Sequence, residues 1–221
     1  MNAAHEARHA GRQAWLRNHT QALHARLDSS APLRALLQPG LTSVAYQRVM
    51  AAMYTAHAQV EPELLALDSA RPPALPAYAS RLTLISLEIA RHNNDGTTVT
   101  PAHVGTALAP THTFVSPADK RHALEAIISS QQQSRYLGLR YVLEGATQGS
   151  RFIQRSLQQH NPGLRVGPDS YWATLANNSN AWSCLCDIIN DQSTDIDDAE
   201  LLAGATLGFK IFINTFYSTA T

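Results

Sequence analysis

Apolar residues recur at helical spacing along most of the chain, and no convincing two-residue alternation of the kind a half-buried strand needs is present. The first stripe, Leu16, Thr20, Leu23 and Leu27, predicts a helix over about residues 11–28. Gln38-Pro39-Gly40 closes a short connecting element, and Val44, Val49, Met53, Val60 and Leu64 carry a longer helix from Ser43 to Leu67, with Pro62 marking a kink or restart. Ala70-Arg71-Pro72-Pro73-Ala74-Leu75-Pro76 reads as a turn, after which a helix is expected from Tyr78 to His92.

Asn93-Asn94-Asp95-Gly96 opens an irregular segment reaching Val115. Ser116-Pro117-Ala118-Asp119 has a helix start's pattern: a capping serine, proline at the first helical position and an early acid. One or two helices then extend to His160, where Asn161-Pro162-Gly163 stops them. Two more are predicted near 168–191 and 196–218, the last with Leu202, Ala205, Phe209, Phe212 and Phe216 on one stripe. The expected architecture is all-α, a single domain over residues 1–221 with residues 1–10 as a frayed extension.

Composition narrows the function more than the fold. Seventeen basic residues balance seventeen acidic ones, so no overall field draws the chain to nucleic acid or an anionic membrane. No apolar run approaches bilayer length, and a cytoplasmic location is expected. The two cysteines, Cys184 and Cys186, are an i, i+2 pair, which on a helix points in opposed directions; reduced, mostly buried thiols are expected. His5 and His9 are read as part of the frayed terminus.

Two stretches raise questions of chemistry. In Leu16-Arg17-Asn18-His19-Thr20-Gln21-Ala22-Leu23-His24-Ala25-Arg26-Leu27-Asp28, Arg17 and His24 are seven apart and share a helix face, while Asp28 stands one turn beyond His24. A neutral imidazole there suits an axial iron ligand, a guanidinium two turns away suits a carboxylate, and Asp28 suits orientation of the other ring nitrogen. A satisfied boundary histidine fits the same pattern. In Tyr136-Leu137-Gly138-Leu139-Arg140-Tyr141-Val142-Leu143-Glu144-Gly145-Ala146-Thr147-Gln148-Gly149-Ser150-Arg151-Phe152-Ile153, Gly145 and Gly149 bare one strip of a helix at about 1 kcal/mol each. Such a strip admits either a flat ligand or a closely packed neighbouring helix.

The first stretch resembles the first-helix motif of haem oxygenases, leucine–basic–x–x–Thr–x–x–x–His–x–x–x–acid. The second resembles the distal-helix motif of the bacterial, biliverdin-producing branch, Tyr-Val-Leu-Glu-Gly-Ser-x-x-Gly-Gly. Tyr141 to Gly145 and Gly149 fit it, while Ala146, Gln148 and Ser150 depart from it. The resemblance implies a haem oxygenase-like bundle that sandwiches haem between the first helix and a glycine-kinked distal helix. It implies His24 as proximal iron ligand, Arg17 and secondarily Arg140 as propionate contacts, and Gly145 and Gly149 on the distal face; Ser150, replacing a glycine, is expected to anchor a catalytic water. The implied reaction is O2-dependent cleavage of haem at a meso carbon to biliverdin, CO and ferrous iron. The chain shows no flavin, nicotinamide or iron–sulfur motif, so electrons are expected from a ferredoxin, flavodoxin or reductase, and a bilin-accepting protein is a further expected partner.

Two other readings compete. One is a non-catalytic haem- or bilin-binding member of the same fold. The other is a di-iron centre built from His57/Glu61 and Glu88/His92, each an i, i+4 pair, for which two solvated polar faces are the plain alternative.

Overall fold

The computed structural model describes residues 11–93, 118–164, 166–178 and 180–218. Every regular element among them is helical: α1 (Arg12–Asp28), α2 (Ala31–Ala35), α3 (Ser43–Leu65), α4 (Leu82–Asn93), α5 (Ala118–His160), α6 (Tyr171–Asn177), α7 (Asn180–Asn190) and α8 (Asp198–Ser218). The all-α class expected from periodicity is the one observed. Short 3₁₀ turns follow α3 at Asp68–Ala70 and α5 at Pro162–Leu164.

Three details differ from the pattern-based reading. Residues 118–160 form one uninterrupted helix of 43 residues that runs through both Gly145 and Gly149. The segment expected as one helix over 168–191 is two, because Asn178 leaves helical geometry (φ −102°, ψ 74°) and ends α6. The helix expected from Tyr78 begins at Leu82, since Glu61 receives the Arg81 backbone N–H and the hydroxyls of Tyr78 and Ser80, fixing that stretch outside a helix. Pro62 lies in the last turn of α3 without ending it. The expected irregular segment up to Val115, together with His5 and His9, lies outside the described residues.

α8 is the central rod. It packs along α5, α1 and α3, and buries Leu201, Ala205, Phe209, Phe212, Ile213 and Phe216. Its contact with α5 runs through glycine. A Cβ on Gly138 would stand 2.1 Å from the Leu201 carbonyl oxygen, and one on Gly204 would stand 2.1 Å from that of Arg135. Real Cβ atoms do not approach backbone so closely, so only glycine at both positions lets the two helices touch main chain to main chain. Gly208 continues the seam one turn on, against Val142. The first helix is fastened at its start by Arg12, which donates to Asp198 at 2.8 Å and to the Ile189 carbonyl at 3.1 Å.

Candidate functional site

α1 turns one polar face outward from the core. Leu16 and Thr20 are buried, with the Thr20 hydroxyl donated to the Leu16 carbonyl at 2.8 Å. Arg17 and His24 stand exposed on the other side. His24 keeps 64% of its side chain open, and its Nδ1 lies 2.9 Å from Asp28 Oδ2. The hydrogen bond to Asp28 raises the imidazole pKa against the opposing effect of burial. The same contact fixes the Nδ1–H tautomer in the neutral ring, leaving the Nε2 lone pair free. Phe209 of α8 meets the His24 ring edge-on at 5.8 Å between centroids.

α5 supplies the facing elements. Tyr141 is buried, its ring 5.4 Å from that of Trp182 on α7. Burial raises the Tyr141 phenol, while Arg17 and Thr20 of α1 lower it, so the Tyr141 hydroxyl is where the two helices meet. One turn further on, Gly145 lies under Trp182: a Cβ there would stand 3.4 Å from the indole. Gly149 is different. A Cβ on it would meet nothing within 4 Å. The two glycines that the spacing pairs together therefore divide their tasks, one seating an indole and the other leaving helix backbone open.

Two residues expected at the site are elsewhere. Arg140 is fully buried; it pairs with Glu144 at 2.9 Å and donates to the Pro76 carbonyl at 3.1 Å and the Tyr136 hydroxyl at 2.9 Å. Its Nε has no hydrogen-bond partner, but with no part of the side chain exposed it meets no ligand carboxylate at the surface in this conformation. Ser150 is also fully buried and donates its hydroxyl to the Ala146 carbonyl at 2.8 Å. It points away from the Gly149 side, so it neither crowds that face nor reaches a water upon it. Cys184 and Cys186 are free and half-buried, less enclosed than expected; burial pushes the Cys186 thiol up to about 11.

The histidine–carboxylate pairs expected as solvated faces are buried instead. Glu61 accepts from Ser80 at 2.6 Å, from Tyr78 at 3.1 Å and from the Arg81 N–H at 3.0 Å, with His57 Nδ1 at 3.1 Å. Tyr171 joins the two pairs, its hydroxyl 3.4 Å from His57 Nε2 and its N–H donated to Glu88 at 3.1 Å. Glu88 also accepts from Tyr46 at 2.7 Å. Burial holds the His57 pKa low. It acts against ionisation of Glu61 and Glu88 too, but the hydrogen bonds outweigh it and hold both below the usual carboxylate range. These carboxylates are saturated by α3, α4 and α6. Among the described residues, no three His, Cys, Asp or Glu side chains converge as metal ligands.

Residues 12–86 match the family model described as heme oxygenase. Over that segment, about a third of its length, the chain is similar to the haem oxygenase family. The match takes in α1 with Arg17, His24 and Asp28, and all of α3; α5 lies beyond it. No curated protein matches the chain. The all-helical architecture of the described residues is consistent with that similarity. No helix among the described residues is long and apolar enough to cross a membrane. Trp182 against Gly145 and Phe209 against His24 are the contacts that sequence reasoning missed. Phe209 had been placed in an ordinary core stripe, and nothing in the Trp182 segment signals an aromatic laid on a glycine one helix away.

Proposed function

We propose that this protein is a haem oxygenase that binds haem beside α1 and α5, with His24 as the iron ligand, and degrades it to biliverdin. The observations that carry the reading are an exposed histidine on α1 whose Nδ1 is already held by a carboxylate and, on α5, helix backbone that is bare and open at Gly149. Neither feature serves the fold. An open glycine within a helix costs about 1 kcal/mol, and nothing among the described residues uses the space.

The residues present suit the group. His24 offers Nε2 to iron, and Asp28 retains the proton at Nδ1, which raises the ring's donor strength. Arg17, two turns away, has no carboxylate partner among the described residues and is placed to receive a propionate. Phe209 and Trp182 supply apolar walls, and Gly149 allows the α5 backbone to approach a flat ring closely. Bound haem supplies the O2 chemistry and is itself the substrate, opened at a meso carbon to biliverdin, CO and ferrous iron with electrons from an external ferredoxin, flavodoxin or reductase. The aromatic walls exclude water from the ring, His24 keeps it anchored, and Arg17 sets its rotation. Ser150, buried and bonded to the backbone, leaves the face of α5 as clear as the glycine it replaces would, which supports catalysis over simple storage.

Titration of the purified protein with haemin, followed by a reductant under air, tests the reading. A one-to-one Soret complex giving way to a bilin spectrum is expected. His24→Ala should lose the six-coordinate ferric spectrum and most turnover; an unchanged spectrum refutes the assignment.

A further inference from the structure

Phe152 lies on α5 with 63% of its surface exposed, the most open large apolar side chain among the described residues. Its position is not arbitrary. It follows Gly145 by seven residues and Gly149 by three, so at about 100° per residue it points within roughly 20° of the first and 60° of the second. Helical side chains lean toward the N-terminus, which tilts the ring back over the turn that holds Gln148 and Gly149. Ala146, Gln148 and Gly149 are all exposed on the same stretch, while Ser150 and Thr147 behind it are buried. Arg151, beside Phe152, is tied to the Ala176 carbonyl at 2.9 Å and does not cover it. The stretch thus exposes backbone at Gly149, a methyl at Ala146, the Gln148 side chain, whose amide is turned to the Thr147 hydroxyl, and one phenyl ring at its far end.

We infer that Phe152 is a ligand-contact residue: its ring packs on the apolar face of the macrocycle beyond Gly149 and forms the outer wall of the site. This rests on the haem reading above. The ligand chemistry it selects is a flat apolar ring, with or without a metal. Gly149 brings the ring close to backbone, and Phe152 then gains the apolar cover that this helix lacks.

The test uses the full chain and two probes, haemin and metal-free protoporphyrin IX, the second being independent of ligation by His24. Affinities are read from the Soret band and from quenching of intrinsic tryptophan fluorescence. Phe152→Ala should weaken both probes by a similar factor of roughly ten, the effect of leaving about half of the ring's free surface uncovered. Phe152→Leu should restore most of the loss. Leu87→Ala, an exposed apolar position on α4 at 52%, should change neither. Because Phe152 is exposed, the variant's melting temperature should stay within a degree or two of the parent's. Wild-type protein that binds both probes while Phe152→Ala binds them equally well overturns the inference and leaves the haem reading standing. A change only in self-association also overturns it, since the ring would then be covered by a second copy. Wild-type protein that takes up neither probe overturns the haem reading itself.

Discussion

Replacing Gly149 with alanine separates what this residue does for the fold from what it does for a ligand. The position is in a helix interior, and a Cβ there touches nothing within 4 Å. Alanine should therefore recover the helix-propensity difference, about 0.8–1 kcal/mol. For a chain of this size that raises the melting temperature by roughly 2–4 °C. Leucine has nearly alanine's propensity and should also leave the ligand-free protein folded, yet its side chain fills the space a porphyrin would take and should abolish biliverdin formation. Gly138→Ala is the counter-case. Its Cβ would sit 2.1 Å from the Leu201 carbonyl, so the two helices must part, at a cost of about 3 kcal/mol or roughly 6–12 °C. The assay is thermal melting of ligand-free protein followed by haemin titration and turnover. A Gly149→Ala protein that melts below the parent, or a Gly149→Leu protein that turns over haem normally, refutes the reasoning.

Arg17→Ala should weaken haemin binding only about five-fold, since an exposed ion pair contributes no more than about 1 kcal/mol, and should broaden the mixture of bilin isomers; a single unchanged isomer at unchanged affinity counts against the propionate contact. Stability should fall with acid in two stages. His57, Glu61 and Glu88 all have folded pKa values below their ordinary ones, so the unfolded chain binds more protons. The stability these three groups contribute is full above about pH 6.5, declines as unfolded His57 takes up its proton, and declines further below about 4.5 as the carboxylates do, the loss ending only below the folded values; His24, raised by Asp28 and half-exposed, works in the opposite sense and offsets only part of the His57 stage. Denaturant titrations across pH 3–8 check this, and His57→Gln should remove the upper stage; a flat profile from pH 5 to 7 in the parent contradicts it.

The elements were legible because each rests on local periodicity. In the stripe of α8, Ala205, Phe209, Phe212 and Phe216 are buried as predicted, whereas Leu202 is only half-buried and Gly208, Ile213 and Thr215 are buried without having been in the stripe. The His24–Asp28 contact was legible for the same reason, as i, i+4 residues on one helix meet whatever surrounds them. Burial of a polar group was not legible. Arg17 and Arg140 look alike beside their motifs, yet Glu144, Pro76 and Tyr136 enclose one and nothing encloses the other. His57–Glu61 and Glu88–His92 satisfy one another locally, so their sequence cannot say whether they face water or, as here, Tyr171 and Tyr46. The role of each glycine was likewise hidden. Gly204 and Gly208 share the i, i+4 spacing of Gly145 and Gly149, so spacing does not tell a helix-packing seam from an open strip, and only the crossing of α5 with α8 shows that Gly138 and Gly204 cannot carry a side chain.

That crossing has a consequence for the width of the site. α1 and α5 both rest on α8, and they touch one another near Tyr141. On the proposed haem reading, the clearance between α1 and the α5 backbone is therefore a dependent dimension, gauged by how deeply α5 seats on α8 at Gly138 and Gly204. A methyl group added at that seam, remote from any ligand, would lift α5 outward and change the clearance over Gly149 while every residue facing the ligand stayed the same. The tolerance of the site is machined into a joint on its far side.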